Sequence, residues 1–196
     1  MPIEKIVPDA VTDENSVFTF SGASNNLHLA LDEDDTNYVN CAGSDVGGSF
    51  EVSFGNLTSS IGSINSIRFY VIGFTGGIRG VVSTVTFDLV NESSTSYNLN
   101  ENIDFTDATI ALLQSGTERT TSDGSTAWTE SAVNNIRMVV KFASIGNSGA
   151  SLNLDHLYID VDYNAPVVVT PTYNNASNNV HVTSGNINVT SGNIFI

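Results

Sequence analysis

Apolar and polar positions alternate with a period of two along most of this chain, the pattern of strands that bury one face and wet the other. In residues 27–31, Leu27, Leu29 and Leu31 fall on one side of the backbone, with His28 and Ala30 between them. In residues 50–54, Phe50, Val52 and Phe54 share a side, and the same alternation sends Glu51 to solvent. Val85, Phe87 and Leu89 make another inward row. Ile136, Met138, Val140 and Phe142 make a further one, with Arg137 and Lys141 turned outward. Strands are also expected at residues 64–74, 82–90, 96–99, 109–113, 136–143 and 152–163, separated by Gly, Asn and Ser clusters that serve as turns. About eight strands at this spacing predict an all-β fold, an antiparallel jelly-roll-like β-sandwich.

The last long strand contains a parity break. Leu152 and Leu154 share one side, whereas Leu157, Ile159, Val161 and Tyr163 share the other. The inward face must switch near Asp155 and His156, and a β-bulge is the simplest cause. The helical candidate, residues 127–133, amounts to a single turn that Thr126 or Thr129 would cap, with Trp128 closing one end of the core. Val39 and Cys41 alternate as further core residues.

The pattern divides the chain into four parts. Residues 1–15 read as an acidic N-terminal arm that Pro2 and Pro8 hold extended, residues 16–163 as the sandwich and residues 164–179 as a linker. Residues 180–196 carry a heptad: Val180, His181 and Val182 followed by Thr-Ser-Gly-Asn, then Ile187, Asn188 and Val189 followed by the same four residues, then Ile194, Phe195 and Ile196.

The apolar residues of this heptad occupy positions 1 and 3 of seven and are mostly β-branched, which excludes a coiled coil. Each unit is a three-residue strand and a turn, too little to stand alone. Either these strands pack on the sandwich, or several chains combine. In the second case Val180, Val182, Ile187, Val189, Ile194 and Ile196 line the axis of a trimeric stem.

Charge narrows the partners. Six Lys and Arg against 21 Asp and Glu give a net charge of −15, a field that repels phosphate backbones and anionic lipid, so neither nucleic acid nor a membrane surface is expected. A lone cysteine, Cys41, rules out an intrachain disulfide. The first residues lack the basic and apolar regions of a signal peptide, and no apolar run is long enough to span a bilayer as a helix. A protein made in a cytosol is the expectation.

Candidate chemistry is sparse. Asp32, Asp34 and Asp35, with the distant Asp155, supply hard oxygen ligands for a structural Ca²⁺, although the spacing of an EF-hand loop is missing. Asp45 is an outlying candidate for the same loop region. His28, His156 and His181 show no zinc-site spacing, and neither a nucleophile elbow nor a reactive setting for Cys41 is present. No catalytic residue is expected, and no cofactor beyond that cation. Tyr38, Tyr70, Tyr97, Tyr173 and Trp128 offer apolar faces for pyranose rings if exposed, and fill the ends of the sandwich if not.

The acidic loop running into Thr36, Asn37, Tyr38 and Val39, the segment from Ala127 through Trp128 to Asn134, and the closing residues Leu154 to Val161 together resemble the jelly-roll structural proteins encoded by tailed phages. The resemblance covers residues 15–163. It implies a non-enzymatic protein on the outside of a phage particle, made in the host cytoplasm. The resemblance points first to a homotrimeric capsid decoration or cement protein, or a head fibre, with the major capsid protein or another virion protein as partner and the N-terminal arm either docked on the shell or capping a sandwich edge. The alternative is a tail-fibre or tail-tip carbohydrate-binding module that attaches to host glycan.

Overall fold

The computed structural model describes residues 2–13, 19–21, 31, 38–43, 46–76, 82–91, 95–97, 100–106, 112–146 and 149–168. Within them lie eleven strands and one short helix: β1 (Ile3–Ile6), β2 (Pro8–Asp13), β3 (Thr19–Ser21), β4 (Tyr38–Ala42), β5 (Ser49–Phe54), β6 (Ser63–Gly76), β7 (Ser83–Val90), β8 (Glu101–Phe105), β9 (Leu112–Ser115), α1 (Glu130–Asn134), β10 (Arg137–Ile145) and β11 (Ser151–Asn164).

They form two antiparallel sheets. The six-stranded sheet runs β3-β4-β11-β6-β9, with β1 on the free edge of β11 beyond β4; the five-stranded sheet runs β2-β5-β10-β7-β8. From β4 onward the chain passes back and forth between the sheets, returning to the same one only from β7 to β8. This is the expected jelly-roll-like sandwich.

The core is built from the predicted rows. Val85, Phe87 and Leu89 on β7 and Met138, Val140 and Phe142 on β10 are buried against Ile67, Phe69 and Val71 of β6 and Leu157, Ile159 and Val161 of β11. Phe69 and Phe87 meet across the two sheets with ring centres 5.1 Å apart. Val39 and Cys41 on β4 are fully buried as expected.

The parity break is resolved by the expected bulge. Opposite β6, Leu154 pairs with Gly73 and His156 with Ile72, which leaves Asp155 as the extra residue. Leu152 and Leu154 therefore face the core on one side of the bulge, and Leu157 through Tyr163 on the other. A second irregularity between Asp162 and Tyr163 sets the far end of the same pair.

Helix α1 is the predicted single turn, and Thr129 is its cap: its side chain accepts a hydrogen bond from the Ala132 N–H. Trp128 is buried, with its indole N–H donating to the Arg119 carbonyl at 3.0 Å.

Several expectations differ from the structure: of the strand expected at residues 96–99 the described part forms only an isolated bridge from Ser96 to Val90, and β8 lies where no strand was expected. Residues 3–13, read as part of an extended arm, are strands in both sheets, β1 paired with β11 and β2 with β5, which places this segment on sandwich edges as one of its two readings has it. Pro8 opens β2, where its missing N–H costs little, and Asp9 is skipped in the register opposite β5. Glu51 is not in solvent. Arg137, opposite Ser53 and so diagonal to Glu51 across the ladder, donates to the Glu51 carboxylate at 2.8 Å, and only 10% of the Glu51 side chain is exposed.

The heptad residues Val180, Val182, Ile187, Val189, Ile194 and Ile196, the linker beyond residue 168, and most of the strand expected at residues 27–31 lie outside the described residues. Leu31 itself is buried in the core.

Candidate functional site

The two sheets present very different outer faces. On the five-stranded sheet, hydroxyl, amide and carboxylate groups pair across strands: Thr84 donates to Asp104 at 2.6 Å, Thr86 to Asn102 at 2.7 Å, and Ser53 to Asp9 at 2.6 Å. Among the described residues, the outward positions of β5, β7, β8 and β10 carry no aromatic ring.

The six-stranded sheet is the reverse. Side chains directed away from the core are Arg68, Tyr70, Ile72 and Phe74 on β6, all half-buried, and His156, Tyr158, Asp160 and Asp162 on β11 beyond the bulge, of which His156 is covered and the other three are half-buried. The register sets Tyr70 opposite Tyr158, Arg68 opposite Asp160, and Ser66 opposite Asp162. The bulge at Asp155 makes this alignment possible. Without the extra residue, either the leucines before it or the apolar residues after it would point outward.

Tyr70 and Tyr158 stack as neighbours, ring centres 4.9 Å apart and planes 12° from parallel. The His156 ring meets Tyr158 edge-on at 4.9 Å, and the Lys5 ammonium of β1 lies 4.2 Å from the Tyr158 centroid. Further along the same face Tyr38 of β4 meets Phe74 edge-on at 5.6 Å. Asn40 of β4 and Asn153 of β11, opposite each other in the ladder, share a side-chain hydrogen bond of 2.5 Å. The aromatic side chains thus follow the length of β6 and β11, and an amide pair lies beside their upper end.

At the lower end Tyr70 forms one wall of a cleft of about 170 Å³, with Arg68, Ser66, Glu118, Asp160 and Asp162 around it and Ile3 of β1 at its margin. Glu118 accepts from the Arg68 guanidinium at 3.1 Å and from the Ser66 hydroxyl at 2.7 Å, so the segment after β9 is tied to β6. Among the described residues, Asp162 receives a long contact of 3.4 Å from the Asn65 amide. Burial raises the pKa of the Asp160 carboxyl above its ordinary value, and the positive charges of Lys5 and Arg68 oppose that rise.

Polar groups of both signs beside an apolar ring can hold a ligand that has hydroxyls on its rim and C–H groups on its faces. Among the described residues no group of three or more His, Cys, Asp or Glu is arranged to hold a metal ion. Asp155, proposed from sequence as a Ca²⁺ ligand, is the buried bulge residue of β11. Its expected partners Asp32, Asp34 and Asp35 lie outside the described residues, as does Asp45.

Of the five aromatic residues singled out from sequence, Tyr38 and Tyr70 are on this face. Tyr97 packs instead against the core, its ring meeting buried Trp128 edge-on at 5.4 Å. Tyr173 and the histidines His28 and His181 lie outside the described residues. Sequence reading missed Tyr158, Phe74, Asp160, Asp162 and Lys5 as site residues. For Tyr158 a signal was present: it has the parity opposite to Leu157 and Ile159, which places an aromatic side chain on the wet face of a long strand.

No family model matches the chain, and no curated protein matches it significantly. Several solved structures are similar in fold. The module TmCBM61, determined with β-1,4-galactotriose, shares 14% identity at a TM-score of 0.42, over 81% of this chain and 87% of its own. The CBM22-1 xylan-binding domain of Paenibacillus barcinonensis Xyn10C shares 9% at 0.43, over 81% and 90%. The K1 cleaved adhesin domain of Lys-gingipain from Porphyromonas gingivalis shares 10% at 0.44, over 84% and 100%.

Proposed function

We propose that this protein is a glycan-binding module, with no catalytic role, whose site is the outer face of the six-stranded sheet. The observation that carries this reading is the stacked pair Tyr70 and Tyr158, set by register at the middle of that face and continuous with a polar cleft. A pyranose ring offers C–H groups to an aromatic side chain and hydroxyls to carboxylates and guanidinium, and both kinds of partner meet at Tyr70. The opposite sheet has the same strand geometry but no aromatic ring at the described outward positions of β5, β7, β8 and β10, so the aromatic face is a specific property of one sheet.

In the setting suggested by the phage resemblance, this reading corresponds to a tail-fibre or tail-tip module attached to host surface glycan. The accessible part of the face is the end that carries Tyr70, Tyr158 and the cleft, since Asn153 and His156 toward the bulge are buried, and the site proposed lies at that end.

The test is a glycan array and affinity electrophoresis on soluble polysaccharides with the full chain. Retarded migration on at least one glycan is expected, with Tyr70→Ala weakening binding about tenfold through loss of aromatic contact. Thr86→Ala, on the opposite sheet, should leave binding unchanged. A flat array with a folded protein would overturn the proposal.

A further inference from the structure

We infer that the cleft end of this face selects glycans bearing free amino groups over those bearing carboxylates. The inference rests on the glycan-binding reading and gives it a substrate class.

The charges around the cleft are unequal in number and in availability. Three carboxylates, Glu118, Asp160 and Asp162, line it together with one guanidinium, Arg68. That guanidinium is already engaged by Glu118 at 3.1 Å. The nearby ammonium of Lys5 sits over the Tyr158 ring at 4.2 Å. Asp160 and Asp162 are two residues apart on β11, so both carboxylates project from the same side of the strand, next to the Tyr70 wall.

A uronic acid seated against Tyr70 would bring a further negative charge beside these two groups, where Arg68 is already paired with Glu118 and Lys5, opposite Asp160 in the ladder, is set over the Tyr158 ring. A hexosamine with a free amine brings the complementary charge. Its ammonium can donate to both Asp160 and Asp162 while its ring packs on Tyr70. Burial disfavours the ionised form of Asp160 in the unliganded protein, and a bound ammonium reverses that penalty. The aromatic wall supplies the contact that every pyranose shares, and the two aspartates supply the discrimination.

The experiment is calorimetric titration of the full chain with chitosan oligosaccharides, their fully N-acetylated counterparts and oligogalacturonates of equal length. Expected is at least tenfold tighter binding of the free amine than of the acetylated chain, falling as salt is raised, and no binding of the uronate. The double variant Asp160→Asn, Asp162→Asn should lose that preference and still bind the acetylated chain. Asp104→Asn, on the opposite sheet, should keep the preference. An equal loss in Asp104→Asn would assign the effect to the overall charge of −15 and overturn the inference. Equal affinity for the amine and the acetylated chain would also overturn it while leaving the glycan-binding reading intact. No binding of any glycan would instead remove the reading on which it rests.

Discussion

The Lys5 ammonium sits 4.2 Å from the centre of the Tyr158 ring, on a strand that borders β11 along the edge away from β6. Tyr158 is therefore held between a cation from β1 and the stacked ring of Tyr70 from β6. Replacing Lys5→Met keeps an apolar stem but removes the charge. Stability should fall by roughly 0.5–1 kcal/mol, the worth of an exposed cation–π contact, read as a lower urea midpoint. An unchanged midpoint would mean that stem packing alone holds the ring.

Glu4 ties β1 to the loop after β5. Its carboxylate accepts from the Thr58 N–H at 2.6 Å, the Thr58 hydroxyl at 2.8 Å and the Ser59 N–H at 3.2 Å. Burial alone would raise its pKa, but these hydrogen bonds together outweigh burial and hold it below the ordinary value of 4.5. A carboxyl whose folded pKa is depressed stabilises the fold above its unfolded pKa and loses that contribution as pH falls through the folded value. Unfolding midpoints measured from pH 6 to pH 3, roughly the span in which such a group titrates, should therefore decline more steeply for the native chain than for Glu4→Gln. Parallel curves would remove Glu4 from the acid response.

The Glu51 and Arg137 pair offers a third measurement. The Arg137 side chain is 39% exposed, so solvent screening keeps the worth of the pair small despite the 2.8 Å contact. A double-mutant cycle with Glu51→Gln and Arg137→Met should return a coupling of about 0.5–1 kcal/mol that shrinks as salt is added. A coupling indistinguishable from zero at low salt would mean that the contact contributes nothing to stability.

Gly73 sits on the inward side of β6, where an added Cβ would lie 2.8 Å from Cε1 of Phe105 and 2.9 Å from the Asn153 carbonyl oxygen. The carbonyl belongs to the ladder with β11 and cannot move without disturbing it. Gly73→Ala should cost about 1–3 kcal/mol as overpacking, measured by thermal unfolding. Gly55→Ala, where the nearest atom is 3.8 Å away, is the matched control and should be close to neutral.

The fold was legible wherever the apolar alternation ran long enough. The rows on β5, β7 and β10 and the parity break at Asp155 follow from side-chain period alone. The short edge strands did not. β1 is Ile-Glu-Lys-Ile with only Ile6 buried, and its pairing with β11 is decided by residues more than a hundred positions away. β8 buries only Ile103 and Phe105, too few positions to establish a period.

The site was less legible than the fold for the same reason. Tyr70 and Tyr158 are each visible as polar-face tyrosines, but their stacking depends on the register between β6 and β11, and that register depends on the bulge. Charge pairing shows the same limit. The alternation places Glu51 on the outer face correctly, and its covering there depends on neighbours across the ladder, Arg137 among them.

Only Val7 separates β1 from β2, yet β1 joins one sheet and β2 the other. These two strands consequently act as a staple across the open side of the sandwich, and each half depends on the other being seated. Ile3 cannot pair until Asp162 has been made. The earliest of the described strands to be synthesised is thus among the last to close, which makes this corner the place where an unfinished molecule would expose two unpaired strand edges at once.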